Sequence, residues 1–288
     1  MTDLDCPKIS LIEELINRAF KEDISDGDVT TNAIVDEMQQ AQAVWIAKEQ
    51  GIVAGLDVAK QIFEHLDPKI RWDPNVRDGT PVDKGSEILI IKGKARALLT
   101  AERIALNIVQ RMSGIATKTR QFVNAVEGYS TKILDTRKTV PGFRKLDKYA
   151  VKAGGGTNHR MGLFDMAMIK DNHIIAAGSI AKAVSDVRNT NPDITIEVET
   201  TGIEEVQQAL SAKADIIMLD NMDIEEMKQA VEIIGAKAES EASGNITLET
   251  VKDVAATGVD YISVGALTHS VKAFDISQRL TYFNNHTK

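Results

Sequence analysis

The segment GGGTNHRMGLFDMAMIKDNH, residues 154–173, gathers the residue types that do chemistry with anions: three consecutive glycines, a His-Arg pair and a lysine that closes an apolar run. Three chemistries compete for it. A phosphate loop needs glycines ending in Gly-Lys-Ser/Thr, or spaced glycines between a strand and a helix. Neither pattern is present. The glycines follow the helical pattern KLDKYAVKA, so they read as a helix C-terminus in which at least one residue takes positive φ. Better phosphate candidates are Ser243-Gly244-Asn245 and Gly265-Ala266, small-residue turns after strand patterns. The first is expected to stand just before a helix whose amides favour an anion.

A metal site is the second possibility. Histidines occur at 65, 159, 173, 269 and 286 without paired ligand spacing, and Cys6 is the single cysteine, so a tightly held zinc is not expected. Glu199 and Asp220 are candidates for a weaker, indirect role. They could meet a magnesium ion carried in by a polyphosphate, since that ion keeps waters and takes few protein ligands. A helix cap or a salt bridge to a lysine remains the plain alternative for each.

The third possibility is an anion pocket built from Arg137, Lys138, His159, Arg160 and Lys170. Arginine matches carboxylate and phosphate with a planar fork, and lysine adds a point charge. Between residues 137 and 170 the bases Arg137, Lys138, Arg144, Lys145, Lys148, Lys152, Arg160 and Lys170 face only Asp147 and Asp165, in a chain whose net charge is -8. Arg137 and Lys138 directly follow an apolar strand pattern and Lys170 ends another. Arg144 and Lys145 begin a helix and read as solvated. Arg103 lies on the polar side of AERIALNIVQRM, and its pattern alone predicts a solvent-facing residue.

Something must bring these residues together. SLIEELINRAF predicts an amphipathic first helix opened by a Ser10–Glu13 capping box. Strand patterns follow at 43–48, 51–55 and 86–93, with a helix near 57–66. Two helices are expected at 97–111 and 115–127, punctuated by Gly114. Beyond residue 130 strands at 131–135, 166–170, 194–199, 215–220, 236–242 and 261–265 alternate with helices near 144–153, 178–190, 203–212, 223–234 and 247–256. That rhythm predicts a parallel sheet. Polar or small residues stop nearly every strand, which favours an α/β barrel whose strand ends share one functional face. With six strands the barrel is incomplete. Segment 270–288 shows no further strand-helix unit and is expected to return to the first domain.

Bulk properties exclude other classes. A chain of 288 residues with 43% hydrophobic residues and six prolines is neither disordered nor membrane-spanning, and an acidic chain does not suit general nucleic-acid binding. MTDLDCPKIS has no apolar leader, so a cytoplasmic location is expected.

The run LDTRKTVPGFRKLDKYAVKAGGGTNHRMGLFDMAMIKDNHI, with IEVET, IIMLDNM, EASGNIT and YISVGALTHS, resembles the quinolinate phosphoribosyltransferases, also called nicotinate-nucleotide pyrophosphorylases (carboxylating). DVT, GIVAG and TAERIALNIVQRMSGIAT extend the likeness over nearly the whole chain. The resemblance implies an N-terminal α/β sandwich at 1–112 completed by 271–288, and an incomplete α/β barrel at 113–270. It implies phosphoribosyl transfer from 5-phosphoribosyl 1-diphosphate to quinolinate with decarboxylation, giving nicotinate mononucleotide, diphosphate and CO2 in NAD biosynthesis. Mg²⁺ is implied with the diphosphate substrate, and a homodimer or larger homo-oligomer. Carried over, Arg137, His159, Arg160 and Lys170 would hold the dicarboxylate, with Arg103 reaching in from a neighbouring subunit. Lys138 and Thr139 would lie by the substrates. Glu199 and Asp220 would face the ribose and the magnesium diphosphate, and Ser243, Gly244, Asn245, Val264, Gly265 and Ala266 would hold the 5-phosphate. Two other classes remain open: a lyase using Lys170 as a Schiff-base nucleophile, and a non-enzymatic paralogue that binds a pyridine carboxylate or an oxyanion.

Overall fold

The strand pattern QAQAVWIA buries every second residue, Ala41, Ala43, Trp45 and Ala47, because a half-covered strand turns alternate side chains to the core. The computed structural model describes residue 7 and residues 9–283. It divides into two compact units, 1–118 with 140–155 and 271–288, and 119–139 with 156–270. The sequence boundaries set 113–118 and 140–155 with the barrel; in the contact division they go with the first unit.

In the first unit the elements are α1 (Ile9–Asp23), α2 (Val29–Ile34), β1 (Gln40–Ala47), β2 (Gly51–Ile52), α3 (Leu56–Leu66), β3 (Arg71–Pro74), β4 (Pro81–Val82), β5 (Glu87–Lys94) and the start of α4 (Ala95–Ala125). β1 lies at the heart of an antiparallel four-stranded sheet. Its outer neighbour is the C-terminal strand Ile276–Tyr282, paired from Ala41↔Tyr282 to Ala47↔Ile276, so the tail strand belongs to this sheet. Trp45 packs its ring 6.0 Å from Phe63 of α3, and its indole N–H donates to Gln278 at 2.8 Å. Side chains of residues 8–11 lie outside the described set, and with them the expected Ser10 capping box; so does Cys6.

The two helices expected on either side of Gly114 are one helix, α4. Gly114 serves packing instead. A Cβ there would stand 2.1 Å from the Lys272 carbonyl oxygen, so a hydrogen is the only side chain that lets this backbone segment approach the helix. Arg111 of α4 grips the fully buried Asp147 of α5 (Arg144–Ala153) through two bonds of 2.9 and 2.8 Å. Helix α5 ends at Gly154, and Gly155 takes φ +93°, as the helix-stop interpretation of the triple glycine requires.

The second unit supplies β6 (Lys132–Leu134), β7 (Ala167–Ile169), α6 (Asp171–Ala177), α7 (Ile180–Thr190), β8 (Ile196–Thr200), α8 (Ile203–Ser211), β9 (Ile216–Asp220), α9 (Ile224–Ile234), β10 (Glu239–Ser243), α10 (Val251–Ala255), β11 (Tyr261–Ser263) and α11 (Ala266–His269); the tail strand of the first unit is β12. The six strands form one sheet in the order β6-β11-β10-β9-β8-β7. Every neighbouring pair is parallel, so all carboxyl ends point to one edge. Helix α7 fills 180–190 of the helix expected at 178–190, with Ser179 capping its start, while Gly178 with φ +91° ends a separate short helix, α6, that the sequence pattern did not show. Among the described residues no helix is long and apolar enough to cross a membrane.

Candidate active site

A parallel sheet covered on both faces selects apolar strands. IEVET and ESEAS break that rule by burying Glu197 and Glu241 completely. Parallel register sets Glu199, Met218 and Glu241 side by side on β8, β9 and β10, and Met168 beside Glu197 one pleat lower. Above them, at the carboxyl ends, the second unit opens a cavity of about 910 Å³.

One wall is cationic. Arg137 and Lys138 follow β6, His159 and Arg160 come from the loop before β7, and Lys170 follows β7; all line the cavity. The loop is pinned to β6, with Thr157 N–H donating to Ile133 at 2.8 Å and the His159 N–H to the buried Asp135 at 2.9 Å. Lys138 is steadied by Thr268, whose hydroxyl donates to its carbonyl at 2.8 Å. The Arg160 guanidinium is aimed by the Met166 carbonyl at 3.1 Å, and burial and then the charge of Arg137 push its pKa down. Two like charges held together in a half-buried wall form a receptor for an anion.

The opposite wall is acidic and small. Glu199, one residue before the end of β8, pairs with Lys170; Asp220 ends β9 and accepts from Asn221 Nδ2 at 2.8 Å. Two half-buried carboxylates on adjacent strands supply the hard oxygen donors that Mg²⁺ accepts beside substrate phosphates, so the donor set fits that ion. Beyond them Ser243-Gly244-Asn245 and Val264-Gly265-Ala266 line the cavity. Gly244 takes φ +99°, and a Cβ there would stand 2.2 Å from Asn221 Oδ1. Asn221 links the turn to β9, accepting from Asn245 Nδ2 at 3.1 Å and donating its N–H to Ser243 at 2.9 Å. The expected helix start directly after 243–245 is displaced: α10 begins only at Val251, because residues 247–250 form a turn, so helix amides do not face this turn. The turn's own backbone is what remains for a phosphate.

Of the residues singled out in the sequence, Thr139 follows Lys138 but does not line the cavity. Arg103 lies on the exposed side of α4 in the first unit. The basic run 137–170 is not one surface. Arg144, Lys145, Lys148 and Lys152 belong to the first unit, where Lys148 is fully buried.

Sequence reasoning missed Glu197, Glu241, Asn221 and His269. Both buried glutamates face the His159 ring, whose Nε2 is 3.1 Å from Glu197 and 3.3 Å from Glu241. These are hydrogen-bond distances, yet the ring N–H points squarely at neither oxygen, so the contact is chiefly electrostatic. Nδ1 accepts the Arg160 N–H at 2.7 Å. Burial disfavours charge on the ring, but the two carboxylates outweigh it and push its pKa up to about 9. Burial, then Glu241, raises Glu197. The Arg160 amide occupies Nδ1, so the proton of the neutral ring sits on Nε2, facing the two carboxylates.

The chain matches the family described as quinolinate phosphoribosyl transferase, with its N-terminal domain over residues 28–113 and its C-terminal domain over 115–279. It is 46% identical over 289 residues to the mitochondrial quinolinate phosphoribosyltransferase [decarboxylating] 2 of Nicotiana glauca, covering 93% of this chain and 82% of the relative. It is 46% identical over 274 residues to the probable nicotinate-nucleotide pyrophosphorylase [carboxylating] of Bacillus subtilis (strain 168), covering 95% and 94%. The crystal structure of NadC from Streptococcus pyogenes superposes with a TM-score of 0.94 at 41% identity, over 96% of this chain and 99% of that one. The chain therefore belongs to the quinolinate phosphoribosyltransferase family.

Proposed function

We propose that this cavity transfers a phosphoribosyl group from 5-phosphoribosyl 1-diphosphate to quinolinate with loss of CO2, and that its two walls divide the substrates. One observation carries this assignment: a single parallel-sheet edge gathers four cationic side chains opposite two carboxylates and two small-residue turns. Arg137, His159, Arg160 and Lys170 hold the two carboxylates of quinolinate. Lys138 lies between the substrates. The turns at 243–245 and 264–266 hold the 5-phosphate through backbone amides, where a side chain would obstruct it.

The pyridine nitrogen attacks ribose C1 as the C1–O bond to diphosphate breaks. Positive charge grows on C1 and the ring oxygen, and Glu199 and Asp220 stabilise it. The cationic wall fixes the attack geometry, converting an encounter of two anions into a positioned reaction. Once alkylated, the ring nitrogen is cationic, so the C2–carboxylate bond breaks with its electron pair left on C2, which then takes a proton. CO2 leaves and no bond to the enzyme forms. Mg²⁺, held by Glu199 and Asp220 directly or through water, would neutralise the departing diphosphate.

The protein acts as a homodimer or larger homo-oligomer in which Arg103 of one subunit enters the cavity of another. Its exposure on α4 supports that role, since an isolated chain leaves it without burial. Kinetics with each substrate varied in turn test the division of the walls. Changes on the cationic wall should raise the KM for quinolinate, and changes at the turns the KM for 5-phosphoribosyl 1-diphosphate. Equal loss for both substrates in both sets would remove it.

A further inference from the structure

Two completely buried glutamates on different strands point at one imidazole nitrogen, and no hydroxyl or amide among the described residues bonds their carboxylates. Buried carboxylates are costly unless a cation meets them. A stretch of sheet meant only to be stable would place apolar residues at 197 and 241. The ring between them has its other nitrogen occupied as well, by the amide of the next residue. Neither nitrogen of His159 is left for a substrate oxygen, and its side chain is only 6% exposed.

What the ring does hold is the start of the segment carrying Arg160. The His159 N–H is fixed by Asp135, the Arg160 N–H by Nδ1, and the guanidinium by the Met166 carbonyl. We propose that Glu197 and Glu241 form a buried carboxylate clamp on His159, and that His159 is a positioning residue which acts on the substrate through Arg160 instead of donating a hydrogen bond to it. The inference rests on the assignment of Arg160 to quinolinate and refines the part given there to His159. Clamp and ring together present a fixed backbone at 159–160, so Arg160 waits in binding geometry beside Arg137. An electrostatic consequence follows. The proton held on the Nε2 side cancels part of the negative charge beneath the pocket floor, which would otherwise repel a dicarboxylate.

Two readouts test this on the full-length protein. The first is a binding cycle, with quinolinate titrated calorimetrically into wild type, Glu241→Gln, Arg160→Ala and the double variant, and Glu197→Gln as the companion should Glu241→Gln fold poorly. Loss of a charge-assisted contact is worth roughly tenfold or more in affinity. Glu241→Gln should weaken binding about that much in wild type, less than about twofold in the Arg160→Ala background, and leave the KM for 5-phosphoribosyl 1-diphosphate unchanged. Equal losses in both backgrounds would overturn the clamp. Unchanged affinity in Arg160→Ala alone would remove the assignment of Arg160, a separate failure. The second readout needs no substrate. Nitrogen NMR of labelled histidine above about pH 9, where the ring is neutral, should show His159 with an acceptor-type Nδ1 and a protonated Nε2, and both glutamine variants should lose that fixed form. A neutral ring protonated at Nδ1 in the wild type would contradict the clamp whatever Arg160 does.

Discussion

The ammonium of Lys170, just beyond β7, pairs with the carboxylate of Glu199 near the end of the neighbouring strand β8. A Schiff-base lysine must offer a neutral amine in an apolar or cation-crowded pocket. An ion pair selects the opposite state. Borohydride added during turnover should therefore trap no substrate carbon on Lys170, as mass spectrometry of the digested protein would show. A reduced adduct at Lys170 would establish the lyase alternative.

Arg160 should matter to one substrate. Arg160→Ala removes a charge-assisted hydrogen-bond donor from the cationic wall, a loss of roughly 1.5–3 kcal/mol, or about 10- to 150-fold. The KM for quinolinate should rise by that order and the KM for 5-phosphoribosyl 1-diphosphate by less than about threefold. Steady-state kinetics decide it.

Gly244 should matter to the other. At φ +99°, with Asn221 Oδ1 2.2 Å from any Cβ, Gly244→Ala strains the backbone and pushes the turn off β9. Left-handed backbone alone costs roughly 1–2 kcal/mol for a residue with a side chain. The KM for 5-phosphoribosyl 1-diphosphate should rise about tenfold or more while quinolinate binding stays near wild type. An unchanged phosphoribosyl requirement would take the phosphate away from this turn.

Stability should fall on the alkaline side. His159 faces Glu197 from β8 and Glu241 from β10, with Asp135 at its backbone and Arg160 and Arg137 on the pocket side. Its pKa is raised in the fold from 6.5 to about 9. Stabilisation from a raised pKa is fully present below 6.5 and is lost as pH rises through about 9. Melting temperatures across that window should drop more steeply for wild type than for His159→Asn, whose side chain does not titrate. Parallel slopes would contradict the charged cluster.

Fold and pocket were legible in the sequence to different depths. All six parallel strands follow from strand patterns ending in polar or small residues; the tail strand was not legible, since 270–288 showed only the absence of another strand-helix unit. Gly114 misled, because a glycine demanded by the approach of Lys272 carries the same letter as one that stops a helix. Arg137, Lys138 and Lys170 were visible as charges at strand ends, and Arg160 as half of the His-Arg pair. Glu197 and Glu241 were not, although their signal was present: a charged residue inside a strand that should be apolar. Which nitrogen of His159 they face depends on the pairing of β8, β9 and β10, and no local pattern encodes it.

Quinolinate labelled in its 2-carboxylate tests the central claim most directly. With 5-phosphoribosyl 1-diphosphate and Mg²⁺, labelled CO2, diphosphate and nicotinate mononucleotide should appear in equal amounts, and a chelator should stop all three. Nicotinate offered instead should yield no mononucleotide, because it lacks the 2-carboxylate that the cationic wall holds in attack geometry. Turnover of nicotinate without release of CO2 from quinolinate would contradict the account.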